Sequence, residues 1–381
     1  MKHRSITKKV LTSIITAGFA LTLSHNANAV SDEEFQALQQ QLNQLADQVE
    51  QNSTSSSDTT IGGYGELHYN NLSSDLEDED KKELDLHRFV IFINHEFNDD
   101  IRFFSEFEIE HALVKDTEDG SNGGEVEVEQ AYVQFDINDY TQASAGVFLI
   151  PVGIMNETHE PPAFYGVERN PVEKNIIPAT WWEGGAMLSG QYDSGLSYDL
   201  ALTSGLNVDP TDINIRDGRQ KVAKAAADNL AVTARIKYTG ISGLELAGTI
   251  QAQDDISQDS SDNIDGATLI EAHARWYIDD FTLTGLYASW DIDGDDASAA
   301  NKDTQDGGYL EASYKISPKF GVFVRQNEWD NGGTGDTDKA QTDIGFNYWP
   351  HEDVVLKADY QAQNDAAGDF DGFNLGVGYQ F

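Results

Sequence analysis

Seven basic residues, Arg102, Arg235, Lys237, Arg275, Lys315, Arg325 and Lys357, stand at alternate positions in segments whose other positions are largely apolar. In residues 230–238, for example, Arg235 and Lys237 share one parity, and Leu230, Val232, Ala234, Ile236 and Tyr238 hold the other. Glu106, Glu108, Glu110, Glu245, Glu271, Glu311, Asp343 and Asp359 relate to their neighbours in the same way. In an extended chain a period of two places such residues on one face. Charges of both signs in rows keep that face wet, and as rings around a passage they set ion selectivity. Covalent chemistry has little to build on. The nine histidines are scattered, and no His-Glu-x-x-His, Gly-x-Ser-x-Gly or P-loop pattern occurs. His68, His87 and His95 lie in early segments where Ser or Asp partners could face them across a sheet, which keeps a hydrolytic reading open. No catalytic, cofactor or metal site is expected, and the absence of cysteine removes disulfides and thiolate ligands.

Composition excludes some partners. Against 24 basic residues stand 66 acidic ones, a formal charge of −42. Nucleic-acid phosphates would be repelled, and the acidity argues against polybasic docking to an anionic membrane surface.

The elements that position the charged rows follow from the pattern. Residues 1–29 read as a secretory signal: Lys2, Arg4, Lys8 and Lys9, then "VLTSIITAGFALTL", then "ANA" ending at Ala29. Residues 30–52 carry Phe35, Leu38, Leu42, Leu45 and Val49 at heptad spacing, which predicts a short coiled-coil helix, either a frayed leader or a bundle formed where several copies meet. Residues 53–60 have linker composition. From 61 to 381 the period is two, with no later run of about 18 apolar residues, so any membrane crossing must use a closed barrel.

About sixteen strands are predicted, near 61–70, 84–97, 101–113, 125–137, 141–150, 183–192, 195–206, 229–238, 243–253, 267–278, 281–290, 307–316, 320–329, 341–349, 353–363 and 371–381. Segment 84–97 is ambiguous in phase. Connections alternate between long excursions and tight turns such as "NDD", "DSG" and "SPK". One rim therefore has turns and the other has loops, the pattern of a bacterial outer-membrane barrel. Phe97, Tyr140, Tyr192, Tyr238, Phe281, Phe320 and Trp349 lie close to the tight turns and, with the last residue Phe381, predict an interfacial aromatic girdle. The fold class expected is all-β: a transmembrane antiparallel β-barrel of about 16 strands behind a short helical segment. Its greasy side chains should face lipid and its wet ones a water-filled tube.

Residues 151–182 form the longest excursion and carry Pro151, Pro161, Pro162, Pro171 and Pro178. Such a stiffened loop is expected to fold inward and narrow the passage. The outer loops "SSDLEDED", "DDISQDSSD" and "DIDGDDAS" are acidic, repelling anions at low salt and attracting a non-specific layer of divalent cations.

Three segments, "AGVFLIPVGIM", "VERNPVEKNIIPATWWEGGAMLSG" and "LHRFVIFINHEF", resemble the phosphate-selective porin (porin O/P) family, most specifically at Gly146, Phe148, Pro151 and Gly153. The resemblance covers most of residues 61–381. It implies a sixteen-stranded, usually trimeric barrel, a third loop inside the lumen, and anion or phosphate uptake through arginine and lysine arrays. Arg169 and Lys174 are the third-loop residues that would match. The reading from pattern and resemblance together is a homotrimeric outer-membrane channel, seated in lipid and lipopolysaccharide, passing small hydrophilic solutes and ions by diffusion. An anion- or phosphate-selective channel, a barrel-borne hydrolase and a structural surface protein remain as alternatives.

Overall fold

Alternation builds sixteen strands: β1 (Thr59–Ser74), β2 (Lys81–Asn98), β3 (Ile101–Glu110), β4 (Val126–Asn138), β5 (Thr141–Leu149), β6 (Trp182–Gln191), β7 (Leu196–Thr203), β8 (Ala231–Ile241), β9 (Leu244–Gln253), β10 (Ala267–Ile278), β11 (Phe281–Ile292), β12 (Thr304–Ser317), β13 (Phe320–Asp330), β14 (Asp338–His351), β15 (Val354–Asp365) and β16 (Phe370–Gln380). The computed structural model describes residues 58–74, 80–114, 123–261, 263–335, 337–365 and 369–381. The expected signal segment, the heptad helix and residues 53–57 of the linker lie outside the described residues.

Each strand pairs antiparallel with its sequence neighbours, and β1 pairs with β16 to close the barrel. At the seam, Gly63 and Phe381 exchange both backbone hydrogen bonds at 2.9 Å. The expected sixteen-stranded closed barrel is therefore observed. Outward positions form an apolar belt, including Leu84, Phe107, Val128, Leu202, Ile236, Ile270, Leu310 and Ile344, all exposed on the isolated chain. Inward positions hold the polar side chains, such as Glu66, Asn70, Thr233, Gln251, Asn327 and Asn374, all buried.

Two departures from simple alternation have local causes. The ambiguous phase of β2 comes from a bulge: Glu66 pairs with Arg88 and Leu67 with Leu86, leaving His87 as the extra residue. Leu84 and Leu86 thus face out on one side of the bulge, and Phe89, Ile91 and Ile93 on the other. Trp349 leaves the expected aromatic girdle. Its indole donates inward to the Pro162 carbonyl at 3.3 Å, near a register shift between Tyr348 and His351 that leaves Tyr348 exposed instead.

Two connections contain the helical turns found among the described residues. Residues 150–181 include a 3₁₀ turn at Pro161–Ala163 and helix α1 (Pro171–Asn175); helix α2 (Asp295–Ala300) lies between β11 and β12. Asn170 caps α1 by accepting from the Glu173 amide at 2.8 Å, and Pro171 occupies the first helical position. The chain enters this connection through two glycines. At Gly146 (φ +137°) a Cβ would meet the Ala131 carbonyl oxygen at 2.3 Å, and at Gly153 (φ +68°) it would meet the Glu173 carboxylate at 2.7 Å.

The tube is not wet throughout. Ile150, Val152, Ile176, Ile177 and Trp181 join Leu206, Val208, Ile213 and Ile215 from the connection 204–230 in one buried apolar cluster. They cover Leu269, Leu286, Trp290, Ile292 and Trp329 on β10, β11 and β13. These inward residues are apolar because loops, not water, lie against them, which corrects the expectation of a uniformly polar lining. Trp290 is central: its ring lies 6.0 Å from that of Trp181, and its N–H donates to the Ile176 carbonyl at 2.8 Å. Replacing Trp290 with Ala is expected to cost about 3–5 kcal/mol of loop anchoring while the barrel stays closed. Limited proteolysis will show faster cleavage within 150–181, with the heat-modifiable gel band of the folded barrel retained.

Candidate functional site

With the β10–β13 side of the lumen filled, an opening of about 120 Å³ remains against β2–β4. One wall is the inner face of the strands, with Arg88, Glu108, Glu110, Glu127 and Glu129. The other wall comes from the two connections: Glu168, Arg169, Lys174 and Thr180 from 150–181, and Arg216, Arg219 and Lys221 from 204–230.

Hydrogen bonds tie residues 150–181 to many inward side chains. Tyr165, Gly166 and Phe164 offer carbonyls to Arg325 (3.4 Å), Lys357 (2.8 Å) and Asn347 (2.9 Å). The Val167 amide donates to Asp359 at 2.6 Å, and Arg88 donates to the His159 carbonyl at 3.1 Å. Glu173 anchors α1. Its buried carboxylate accepts from the amides of Ile154 (2.8 Å) and Met155 (2.6 Å) and from the Tyr309 hydroxyl (2.8 Å).

The second connection is stapled onto the first by its arginines. Arg216 donates to the carbonyls of Lys174 (2.6 Å) and Ala179 (2.8 Å); Arg219 donates to Pro178 (3.0 Å) and Thr180 (2.5 Å). These acceptors are neutral carbonyls, not carboxylates. Burial and the adjacent Arg219 pull the Arg216 guanidinium down to about 10, which leaves it charged at neutral pH. Arg169 donates to the Thr180 hydroxyl at 2.6 Å, and Lys174 is exposed to the opening. Among the described residues, none of these four cations has a carboxylate within 4.0 Å. Lys221 differs, bridging Glu125 and Glu127 at the end of the acidic wall.

The basic residues singled out from strand parity fare differently. Arg102 is paired with Asp136; Arg235 is held by Asp199 (2.7 Å) and Glu157; Arg325 lies between Asp343 (3.0 Å) and Glu311 (3.2 Å). Arg275 approaches Glu245 at 3.9 Å. Lys357 is buried over the Phe164 ring at 3.4 Å, whereas Lys315 is exposed near Trp349 at 5.4 Å. Lys237 is half-buried with no ion pair among the described residues. Glu106 accepts from Gln130 (2.7 Å) and Tyr64 (3.2 Å) behind the opening, and Glu108 lines it. The structure thus gathers Glu108, Arg169 and Lys174 at the opening and leaves the others as paired or scattered lumen charges. Strand parity missed Arg216, Arg219 and Lys221. The signal was "NIRDGRQK", a basic cluster inside a long connection of an acidic chain.

A closed sixteen-stranded barrel with an outward apolar belt is the architecture of a transmembrane barrel, too wide for its strand side chains alone to fill. The family model for Gram-negative porins matches residues 16–368, and the chain belongs to that family. An uncharacterized protein of Aquifex aeolicus is 30% identical over 342 residues, covering 79% of this chain and 74% of that one. Among solved structures, the anion-selective porin from Comamonas acidovorans superposes with a TM-score of 0.61 at 12% identity, over 85% of this chain and 99% of that one. The trimer form of Vibrio cholerae OmpT superposes at 0.55 and 12% identity, with 85% and 99% covered. The protein is an outer-membrane porin, a diffusion channel.

The Glu173 anchor makes docking of 150–181 depend on pH. Burial raises its carboxyl above the ordinary value, against the opposing hydrogen bonds. A raised folded-state value means the folded form binds the proton more tightly. The docking contribution is therefore full below the ordinary carboxyl range and declines as pH rises through the raised value. Protease resistance of 150–181 is expected to fall as pH is increased, and Glu173→Gln is expected to flatten that profile.

Proposed function

We propose that the opening against β2–β4 is the narrowest part of the diffusion path, and that its two walls, acidic on the strands and basic on the loops, orient small polar solutes as they pass. The observation that carries this reading is the set Arg169, Lys174, Arg216 and Arg219, four cations with no carboxylate within 4.0 Å among the described residues, lining the same opening as Glu108, Glu110, Glu127 and Glu129. A passage bordered by both signs discriminates weakly between small anions and cations while favouring solutes whose dipoles align across it.

The working form is proposed as a homotrimer embedded in outer-membrane lipid and lipopolysaccharide, exported by residues 1–29, with 30–52 as a helical bundle where three copies meet. Support comes from the heptad spacing and from a similar barrel whose structure is a trimer form. Transport is proposed to be non-catalytic. The described histidines face carboxylates, except His95, whose ring contacts the Thr59 hydroxyl at 2.8 Å.

The four loop cations favour a second reading, an anion channel with a phosphate preference of the kind the porin O/P resemblance implies. Bilayer recordings separate the two. Under a KCl gradient, Arg216→Gln with Arg219→Gln is expected to move the permeability ratio several-fold toward potassium, and Glu108→Gln with Glu110→Gln to move it toward chloride. Arg216→Lys with Arg219→Lys keeps the charge and is expected to stay near wild type. Millimolar phosphate will block chloride current only under the phosphate reading, and that block must disappear when Arg169 and Lys174 are both changed to Gln. A barrel that inserts but does not conduct would overturn the transport assignment.

A further inference from the structure

Three histidines from three different places in the chain meet on the lumen side of β2, beside the opening. His68 comes from β1, His87 is the extra residue of the β2 bulge, and His111 follows β3 directly. The His68 and His87 rings are stacked at 4.6 Å, and those of His87 and His111 meet edge-on at 5.8 Å. Asp85 completes the group. Its Oδ2 lies 2.8 Å from His111 Nδ1 and 3.3 Å from His87 Nδ1. The backbone also ties His111 to His87, whose carbonyl accepts the His111 amide at 3.3 Å.

We infer that Asp85, His87 and His111 form a binding site for a first-row divalent transition cation, of the zinc or nickel class, at the extracellular mouth of the lumen. The donor set is two imidazoles and one carboxylate, which suits such cations and is a poor match for calcium or magnesium. The ligand atoms of the three residues lie within 4.8 Å of one another. A zinc ion about 2.1 Å from each ligand needs them roughly 3.4 Å apart. Both nitrogens are already within 3.3 Å of the carboxylate oxygen, so closure needs only a small turn of the half-exposed His111 ring.

The surrounding residues hold the site in place. His68, stacked beneath His87, is clamped at both nitrogens, by Glu66 at 3.1 Å and Glu168 at 3.1 Å. His68 is therefore a platform more than a ligand, fixing the His87 ring plane in the way outer-shell partners orient metal ligands. The bulge matters equally. It turns His87 inward while Arg88 still reaches Glu66 at 2.6 Å, so two successive residues serve the lumen side. A bound dication would add two positive charges above the basic wall and shift permeation toward anions.

Zinc chloride titrated calorimetrically into the full-length, detergent-solubilised protein tests the inference. One ion per chain is expected, saturating at micromolar zinc; Asp85→Asn and His111→Ala should each weaken it at least tenfold. Calcium chloride should show no saturable site in that range. Zinc binding unchanged in the His87→Ala and His111→Ala double variant would overturn the assignment. So would calcium matching zinc, because the acidic loops would then be the binders. If the double variant fails to fold, X-ray absorption at the zinc edge on the wild-type protein decides: two imidazoles in the inner shell support the site, and an oxygen-only shell sinks it. These measurements need no membrane, so their failure is distinct from failure of the channel reading.

Discussion

The bilayer interior offers no water to an unpaired amide or carbonyl, and a spanning sheet must therefore have no free edge. The pairing of β1 with β16, finished by the reciprocal bonds between Gly63 and Phe381, meets that requirement. Once the sheet is sealed, each strand has one face toward lipid and one toward the interior. Side-chain alternation, bulge placement and the fate of every charge are then consequences of that division.

Inside, the division creates a second problem. A cylinder of this circumference is too wide for its own strand side chains to fill. The chain meets it with two connections of opposite chemical character on their two sides. Their apolar residues lie against β10–β13 as a true core, whereas their cations line an opening against β2–β4. Burial of Trp181, Ile176 and Ile213 on one side thus sets the position of Arg169, Arg216 and Arg219 on the other. Loop packing and channel electrostatics are mechanically coupled, with Glu173 and Trp290 as the main fixings.

Strand number, the two rims and the polar inner parity were legible because a period of two is a local property. Each segment announces its faces without reference to its neighbours. Legibility ended where register breaks or loops decide. Nothing in "LDLHRFVIF" says where the extra residue falls, so Arg88 and His87 could not both be assigned inward before the pairing with β1 was known. Trp349 looked like a girdle residue by its distance from a turn, yet a register shift beside it turned the ring toward Pro162. Arg235 and Arg325 kept the parity expected of them, but their carboxylate partners come from neighbouring strands or the distant loop.

By itself the sequence determined a two-faced, sixteen-stranded barrel with acidic outer loops and a proline-stiffened third connection, since composition and spacing act over a few residues at a time. Only the tertiary structure decided which charges stay uncompensated. That outcome depends on which side chains, distant in sequence, are brought within bonding distance when the loops bury their apolar residues. Among the described residues Arg216 and Arg219 form no ion pair because they find carbonyls of residues 174–180, while Arg235 meets Glu157 and Asp199.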